Sequence, residues 1–242
     1  MSIKVAYIND DVKAFSTFDE IVDKHNIVFL DCHNINLTSL PDNMNYPNLV
    51  VFSCSKNNLT NLPNNMICPR LKEFDCSNNK LTSLPDNMSF PNLIEFSCDN
   101  NRLIRLSDNM YCPKLEIFNC SNNKLLCLPE NMNLHSLKYF YCSNNKLLCL
   151  PENMNLPNLE EFYCRNNILT RLPDNMNFPN LREFWCSYNN LTSFPENMNF
   201  PNLEVLWCSY NKLTRLPLWL RKCPKLNRLI YDNNDIILKP QV

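Results

Sequence analysis

Residues 71–92 read LKEFDCSNNKLTSLPDNMSFPN, and this 22-residue stretch recurs along the chain with few changes. Complete units of 22 or 23 residues begin at Ile27, Leu49, Leu71, Leu93, Leu115, Leu137, Leu159, Leu181 and Leu203, and a partial unit follows from Leu226. A fixed period of about 20–29 residues is typical of a solenoid, in which each unit stacks on the next. The repeat therefore predicts an extended stack of equivalent turns.

Apolar and polar residues alternate at the start of each unit. Phe74 and Cys76, at positions 4 and 6, alternate with polar residues at positions 3, 5 and 7, which predicts a short strand with one buried face. Successive strands are expected to lie side by side and parallel. Proline at positions 15 and 21 (Pro85 and Pro91) excludes a long helix from the rest of the unit. We predict a single helical turn there, beginning at the first proline, with Met88 pointing inward.

Two further positions predict ladders through the core. Nine of the fourteen cysteines occupy position 6, namely Cys32, Cys54, Cys76, Cys98, Cys120, Cys142, Cys164, Cys186 and Cys208. Nine residues cannot all pair with one another, and an unoxidised cysteine behaves as a small buried hydrophobe, so we predict reduced core thiols. Asparagine recurs at position 9 from Asn57 to Asn234. The amide of each asparagine has two donors and an acceptor, which can join adjacent turns by hydrogen bonds. The alternative is that this row of asparagines binds a ligand.

The repeat unit resembles that of leucine-rich-repeat proteins, L-x-x-L-x-L-x-x-N-x-L, with Phe in place of the second leucine and Cys in place of the third. The resemblance covers about nine tenths of the chain. The asparagine-rich units with a central cysteine also resemble the leucine-rich-repeat proteins of giant DNA viruses such as mimivirus. The resemblance implies an α/β repeat solenoid that is curved, with a parallel sheet on the concave face and short turns or helical turns on the convex face.

A solenoid needs covers at both ends, because a single unit buries too little apolar surface to be stable alone. We expect a strand over Ile3–Ile8 and a short helix that opens at a capping box formed by Thr17 and Glu20. At the other end, Leu216–Leu220 departs from the repeat, with Trp219 in place of asparagine. The predicted organisation is an N-terminal cap over residues 1–26, nine repeats over 27–225, and a partial repeat with a C-terminal cap over 226–242.

Composition excludes several classes of function. The net charge of −1 gives no overall attraction to nucleic acid or to anionic membranes, and no apolar run is long enough to span a bilayer. Glycine is absent, which excludes the phosphate-binding loops of nucleotide enzymes, and no cofactor is expected. The histidines (His25, His33 and His135) lack nucleophilic partners, and evenly spaced thiols do not make a zinc cluster. We expect a non-enzyme without a metal site, located in the cytoplasm because its thiols are reduced, or in the host cytoplasm if viral.

The outward-facing positions change from polar to aromatic along the chain. Position 5 carries Asp31, Ser53, Asp75, Ser97 and Asn119, and then Tyr141, Tyr163, Trp185 and Trp207. The seven residues predicted to bind a partner are Tyr139, Tyr141, Tyr163, Trp185, Tyr188, Trp207 and Tyr210. Tyrosine and tryptophan are enriched in interface hot spots, which favours a recognition surface on the C-terminal half of the concave face. The alternative is a set of cross-strand aromatic pairs that only stabilise the sheet.

These observations predict a non-enzymatic intracellular interaction module, a monomer, that binds a protein partner through the aromatic half of its concave face. One alternative is a regulatory subunit of a host enzyme such as a phosphatase, as some intracellular leucine-rich-repeat proteins are. Another is an extracellular receptor or glycan binder, which would carry a secretory signal and disulfide-bonded caps. The start of the chain, Met1–Ala14, is not typical of a signal peptide.

Overall fold

The computed structural model describes residues 2–130, 134–174 and 176–237. The chain divides into two compact units, Met1–Lys124 and Leu125–Val242. Residues 238–242, the end of the predicted C-terminal cap, lie outside the described residues. Both units are built from short parallel strands that recur once in each repeat, which confirms the predicted solenoid.

Residues 2–124 of the first unit contain nine strands. They are β1 (Ile3–Tyr7), β2 (Val12–Phe15), β3 (Ile27–Asp31), β4 (Asn43–Asn45), β5 (Val51–Ser53), β6 (Asn65–Ile67), β7 (Glu73–Asp75), β8 (Glu95–Ser97) and β9 (Ile117–Asn119). β3, β5, β7, β8 and β9 are parallel and in register, so that Phe52 is the neighbour of Phe74. β1 pairs antiparallel with both β2 and β3. β4 and β6 form a separate parallel pair.

The described residues of the second unit contain five strands. They are β10 (Tyr139–Tyr141), β11 (Glu161–Tyr163), β12 (Glu183–Trp185), β13 (Val205–Trp207) and β14 (Arg228–Ile230). All five are parallel and in register. In β10, β11, β12 and β13 the central residue is buried between two partly accessible neighbours, whereas in β14 both Leu229 and Ile230 are partly accessible. The sheet therefore presents its position 3 and position 5 side chains on the outer face.

The core is a set of ladders in which each side chain packs against its equivalents one turn away. The rings of Phe162 and Phe184, at position 4, stack with centroids 5.5 Å apart and an interplanar angle of 3°. Phe52 and Phe74 stack in the same way at 5.2 Å. Full burial of such a side chain contributes about 1.5–3 kcal/mol, but only when the neighbouring turn is in place.

The nine position 6 cysteines are all buried, as predicted, and the fourteen cysteines of the chain are free. Burial raises the pKa of the Cys32 thiol to about 12 and that of the Cys208 thiol to about 12. The pKa of the fully buried Cys186 is raised well above its ordinary value, first by burial and then by the neighbouring Cys208 and Cys164. The ladder is thus a column of neutral, apolar thiols.

The asparagine ladder ties adjacent turns together, which confirms its predicted structural role. The buried Asn79 side chain donates hydrogen bonds to the carbonyl of Cys54, one turn back, at 3.0 Å and to that of Cys76 at 3.1 Å. Its oxygen accepts a hydrogen bond of 3.0 Å from the Leu59 N–H of the preceding turn. These bonds satisfy backbone groups where the strand ends and the sheet ladder stops.

The segments that return from one strand to the next differ from the prediction. Met88 is buried as expected, but the described parts of these segments before Pro217 form turns and extended backbone instead of a helical turn. Phe90 precedes Pro91, and the residue before a proline rarely adopts helical geometry because it would clash with the proline ring. Extended backbone also lets adjacent return segments pair, since the Phe90 N–H donates to the Tyr111 carbonyl at 3.0 Å.

The predicted N-terminal capping box is also absent. Thr17 precedes a 3-10 helix of three residues, Phe18–Glu20, and makes no side-chain capping bond to it. The Glu20 carboxylate accepts a hydrogen bond of 2.9 Å from the Ser16 N–H instead. A second 3-10 helix spans Lys24–Asn26. Such short helices have no interior turn for a capping box to stabilise.

Near the C-terminus, a 3-10 helix over Leu218–Lys222 replaces the usual return segment. Trp219 is buried and makes edge-on contacts with the rings of Phe194, at 5.8 Å, and Phe200, at 5.3 Å. Its indole N–H donates to the Pro195 carbonyl at 3.0 Å. Among the described residues, no helix has the length and apolar character needed to cross a bilayer.

Candidate functional site

The in-register strands β10 to β13 bring four aromatic side chains into one row on the outer face of the sheet. We call this row the aromatic ladder; its members are Tyr141, Tyr163, Trp185 and Trp207. From Tyr141 to Trp207, the successive ring centroids are 5.0, 4.5 and 4.9 Å apart. Each ladder residue is half-buried; the rings of Tyr163 and Trp185 stack at an interplanar angle of 19°, and the other two pairs are tilted by 50° and 55°.

A second aromatic group lies just beyond the strands. Tyr188 and Tyr210, at position 8 of successive units, stack with centroids 4.3 Å apart and an interplanar angle of 9°. They are 50% and 47% exposed. We call them the tyrosine pair. Both residues have a left-handed backbone conformation, with φ of 55° and 54°.

Left-handed geometry occurs at position 8 in every unit, where most units carry asparagine. Asparagine is enriched several-fold in this region, whereas a bulky side chain there is strained. For residues other than glycine, asparagine and aspartate, left-handed backbone geometry costs on the order of 1 kcal/mol of folding free energy. Tyr188 and Tyr210 therefore occupy positions where the fold itself favours a different residue.

Two carboxylates hold the tyrosines of the ladder in place. The Tyr141 hydroxyl donates to Glu161 Oε2 at 2.8 Å, and the Tyr163 hydroxyl donates to Glu183 Oε2 at 2.6 Å. Burial raises the pKa of the Tyr163 phenol, and the hydrogen bond to Glu183 raises it further. The pKa of Tyr141 is raised for the same reasons, first by burial and then by Glu161. Both phenols are therefore neutral at physiological pH.

Two guanidinium groups lie over the indole rings of the ladder. Arg165 lies 5.8 Å from the Trp185 ring centroid, and Arg228 lies 5.8 Å from that of Trp207. Such cation–π contacts contribute about 0.5–1 kcal/mol at exposed sites. The Trp207 indole N–H donates to Ser209 Oγ at 3.0 Å, whereas the buried Trp185 Nε1 has no hydrogen-bond partner among the described residues.

The seven residues predicted from the sequence fall into two groups and one separate residue. Four form the aromatic ladder and two form the tyrosine pair. Tyr139 begins β10 opposite Glu161 in the register and is half-buried. Within the described chain, it shares none of the ring contacts that join the other six.

Sequence reasoning missed two residues at the end of the row. Ile230 of β14 is the register partner of Trp207 and continues the ladder position. Arg228 of the same strand supplies the cation over Trp207. Both lie in the partial repeat, at positions 3 and 5, and extending the repeat alignment through Leu226 would have found them.

The outer face of the first unit is acidic instead of aromatic. A shallow cleft of about 320 Å³ is lined by Glu73, Asp75, Glu95 and Asp99 together with uncharged neighbours. Burial raises the pKa of Glu95, and the adjacent Glu73 and Asp75 raise it further. In residues 2–130, 134–174 and 176–237, no group of three or more His, Cys, Asp or Glu side chains is arranged to hold a metal ion.

Comparisons with known proteins agree with this architecture. A family model described as Leucine Rich repeats (2 copies) matches residues 157–197 and 201–239. YopM, a leucine-rich effector protein from Yersinia pestis, is similar over 82% of the chain, with 34% identity and a TM-score of 0.63, and the match covers 58% of YopM. Listeria monocytogenes InlP is similar over 90% of the chain, with 27% identity and a TM-score of 0.64, and the match covers 64% of InlP.

A plant peptide hormone receptor, RGFR1, solved in complex with RGF2, shares the fold at 22% identity and a TM-score of 0.59. The match covers 81% of the chain and 38% of the receptor. The chain thus spans less than two thirds of the length of each of these three structures. A comparison with curated proteins finds no match.

Proposed function

Because the chain is a leucine-rich-repeat protein, we propose that it is a non-enzymatic interaction module that binds a protein partner through the aromatic face of its second unit. That face comprises Tyr139, the aromatic ladder and the tyrosine pair. Repeat solenoids present extended surfaces of this kind to their partners, and RGFR1, which shares the fold, forms a complex with RGF2. The reduced thiols fit a reducing compartment, and an intracellular location is part of the proposal.

The observation that carries the proposal is the tyrosine pair. Tyr188 and Tyr210 are about half exposed and hold a backbone geometry that asparagine adopts more easily. A stacked aromatic pair recovers about 0.5–1.5 kcal/mol beyond the area it buries, which only roughly offsets the backbone cost at two positions. The net gain in stability from tyrosine at these positions is therefore small, and the exposed half of each ring is available to a partner.

The aromatic ladder fits the same role, although it also forms the cross-strand pairs that the structural alternative requires. Its rings contact one another at 4.5–5.0 Å, so part of their area stabilises the sheet. Their remaining accessible area lies beside Arg165 and Arg228. An apolar centre with a charged border is the usual anatomy of a protein interface. The structural alternative accounts for the ladder more fully than for the tyrosine pair, which also stacks but has a backbone geometry that favours asparagine.

The sequence repeat supplies matched variants for a test. Tyr188→Asn with Tyr210→Asn restores the residue that most units carry at position 8. Trp185→Ser with Trp207→Asn introduces the residue types that other units carry at position 5, as in Ser97 and Asn119. The control is Tyr111→Ser, because Tyr111 is a 58% exposed tyrosine of the first unit whose equivalent one turn earlier is Ser89.

The experiment compares affinity capture by the wild type, the two double variants and the control, followed by binding measurements with the purified captured protein. We expect a partner that the wild type and Tyr111→Ser retain and that both double variants lose, with Kd weakened about 30-fold or more, or about 2 kcal/mol. Equal binding by all four proteins contradicts the proposal. A captured enzyme that co-purifies in a fixed ratio would specify the regulatory-subunit form of the function.

A further inference from the structure

Two of the fourteen cysteines are exposed, and they lie one repeat apart. Cys127 and Cys149 are accessible, whereas the other twelve thiols are buried. Both occupy position 13 of their units, just after the leucines of positions 11 and 12. Both lie in the second unit of the structure. Neither takes part in the aromatic face or in the core ladders.

The backbone around them shows that these two segments run side by side. The Lys146 N–H donates to the Leu125 carbonyl at 2.9 Å, and the Leu148 N–H donates to the Leu126 carbonyl at 3.2 Å. The two cysteines follow immediately after this ladder, so their Cα atoms are about 5 Å apart, the spacing of hydrogen-bonded parallel segments. This lies within the Cα separation that a disulfide spans, about 4.4–6.8 Å.

Side chains at equivalent positions of adjacent turns point in the same direction and reach one another. The rings of Tyr188 and Tyr210 stack at 4.3 Å, and the Asn199 amide donates to the side-chain oxygen of Asn177 at 3.1 Å. By the same relationship we expect the two thiols to lie on one side of the surface. Leu126 and Leu148 beside them are 50% and 55% exposed, so the segment lies at the surface and can adjust by the small rotation that a disulfide requires.

We propose that Cys127 and Cys149 form a cross-turn dithiol that a low-molecular-weight disulfide, such as glutathione disulfide, oxidises reversibly to an intramolecular disulfide. One cysteine thiolate attacks a glutathione sulfur, which forms a mixed disulfide and releases one glutathione. The second thiolate attacks the protein sulfur of the mixed disulfide and displaces the other glutathione. The two protein thiols lose two protons and two electrons in total, and glutathione disulfide gains them.

The remaining thiols do not compete for this reaction. A thiolate must be both formed and accessible to attack a disulfide. Burial raises the pKa of the Cys68 and Cys112 thiols to about 11 each, and the position 6 thiols lie inside the sheet ladder. Cys223, the one thiol left, is buried as well, so oxidation is confined to one pair of the fourteen cysteines.

The test uses the full chain, reduced and then freed of reductant, in buffers of increasing glutathione disulfide. Intact mass and non-reducing electrophoresis follow the product, and tryptic mapping identifies the link between peptides 125–138 and 147–165. The second peptide also carries buried Cys164, so a Cys149→Ser variant assigns the bond. Cys127→Ser is its counterpart. Serine is the natural residue at this position in Ser83 and Ser193, and thermal unfolding checks that both variants fold.

We expect the wild-type monomer to lose the mass of two hydrogen atoms, to regain it with dithiothreitol, and to yield the 125–138 to 147–165 link. Each serine variant takes up a single glutathione and forms no internal link. A wild-type chain that carries two glutathiones, forms disulfide dimers, or does not react overturns the proposal. A link that persists in Cys149→Ser also overturns it, because Cys164 would then be the reacting thiol.

Discussion

The side chain of Asn189 donates a hydrogen bond of 3.1 Å to the carbonyl of Cys164, one turn back along the stack. The same amide donates to the carbonyl of Cys186 at 3.1 Å, and its oxygen accepts a hydrogen bond of 3.0 Å from the Leu169 N–H. One buried side chain thus satisfies backbone groups in two adjacent turns. Because its partners have no access to water, removing the amide leaves them unsatisfied.

Asn189→Ala is expected to lower the free energy of unfolding by about 3 kcal/mol, since each buried backbone group left without a partner costs about 1–3 kcal/mol. Urea denaturation measures the change. The matched control is Asn190→Ala, in the next residue, which is only partly buried and should change stability by less than about 0.5 kcal/mol. Equal effects of the two substitutions would contradict a structural role for the ladder.

Tyr188→Asn combined with Tyr210→Asn is expected to leave the free energy of unfolding within about 1 kcal/mol of the wild type, or above it. The variant loses the ring stack at 4.3 Å but relieves two strained left-handed residues. Urea denaturation and circular dichroism test this. A loss of more than about 2 kcal/mol would show that the tyrosine pair stabilises the fold, and would remove the main support for its role in binding.

The buried thiols make stability sensitive to alkaline pH. The pKa of Cys208 is raised to about 12 by burial, and that of Cys186 well above its ordinary value, whereas unfolded thiols ionise near a pKa of about 8.5. Because the pKa of each thiol is higher in the folded state, its contribution to the free energy of unfolding is complete below the pKa of the unfolded state. That contribution is lost as the pH rises above the unfolded pKa. Each buried thiol then lowers the free energy of unfolding by about 1.4 kcal/mol per pH unit.

Urea denaturation with reductant between about pH 8 and pH 10 should show a steep loss of stability, with unfolding within about two pH units because twelve thiols are buried. The Cys186→Ala variant should show a slope smaller by about 1.4 kcal/mol per pH unit. A slope unchanged by this substitution would mean that the ladder thiols do not set the pH dependence.

The phenylalanine ladder should tolerate leucine better than alanine. Phe184 stacks on Phe162 at 5.5 Å, and its register partner in the next strand is already a leucine, Leu206. Phe184→Ala should cost about 3–5 kcal/mol by opening a cavity, and Phe184→Leu clearly less, as measured by urea denaturation. If both variants lost the same stability, ring stacking instead of filled volume would govern this position.

Much of the fold followed from the repeat. Phe74, Cys76 and Asn79 were placed in the core from their positions alone, and all three are buried there. The helical turn after Pro85 was predicted from the preference of proline for a first helical position, and it was wrong. Pairing between neighbouring return segments, such as Phe90 with Tyr111, involves residues about one repeat apart and overrode the local preference.

The candidate site was found in part, and the seven aromatic residues remain a prediction as a binding surface. Their convergence on one face could be inferred because equivalent positions of a solenoid line up. The positive φ of Tyr188 and Tyr210 could not be inferred in this way, because it depends on where each strand ends. Arg228 over Trp207 was missed because the outward-facing positions were followed only through the nine complete repeats.

The amino-acid repeat set the period, the direction in which each side chain points and the chemistry of each ladder. It could do so because every residue packs mainly against its own equivalent one turn away. Three-dimensional packing sets which neighbours actually meet: the hydroxyl of Tyr163 with Glu183, Trp219 with Phe200, and the segments that carry Cys127 and Cys149. These contacts depend on rotamers, strand ends and return-segment geometry, which are set by packing across turns and leave no periodic trace in the sequence.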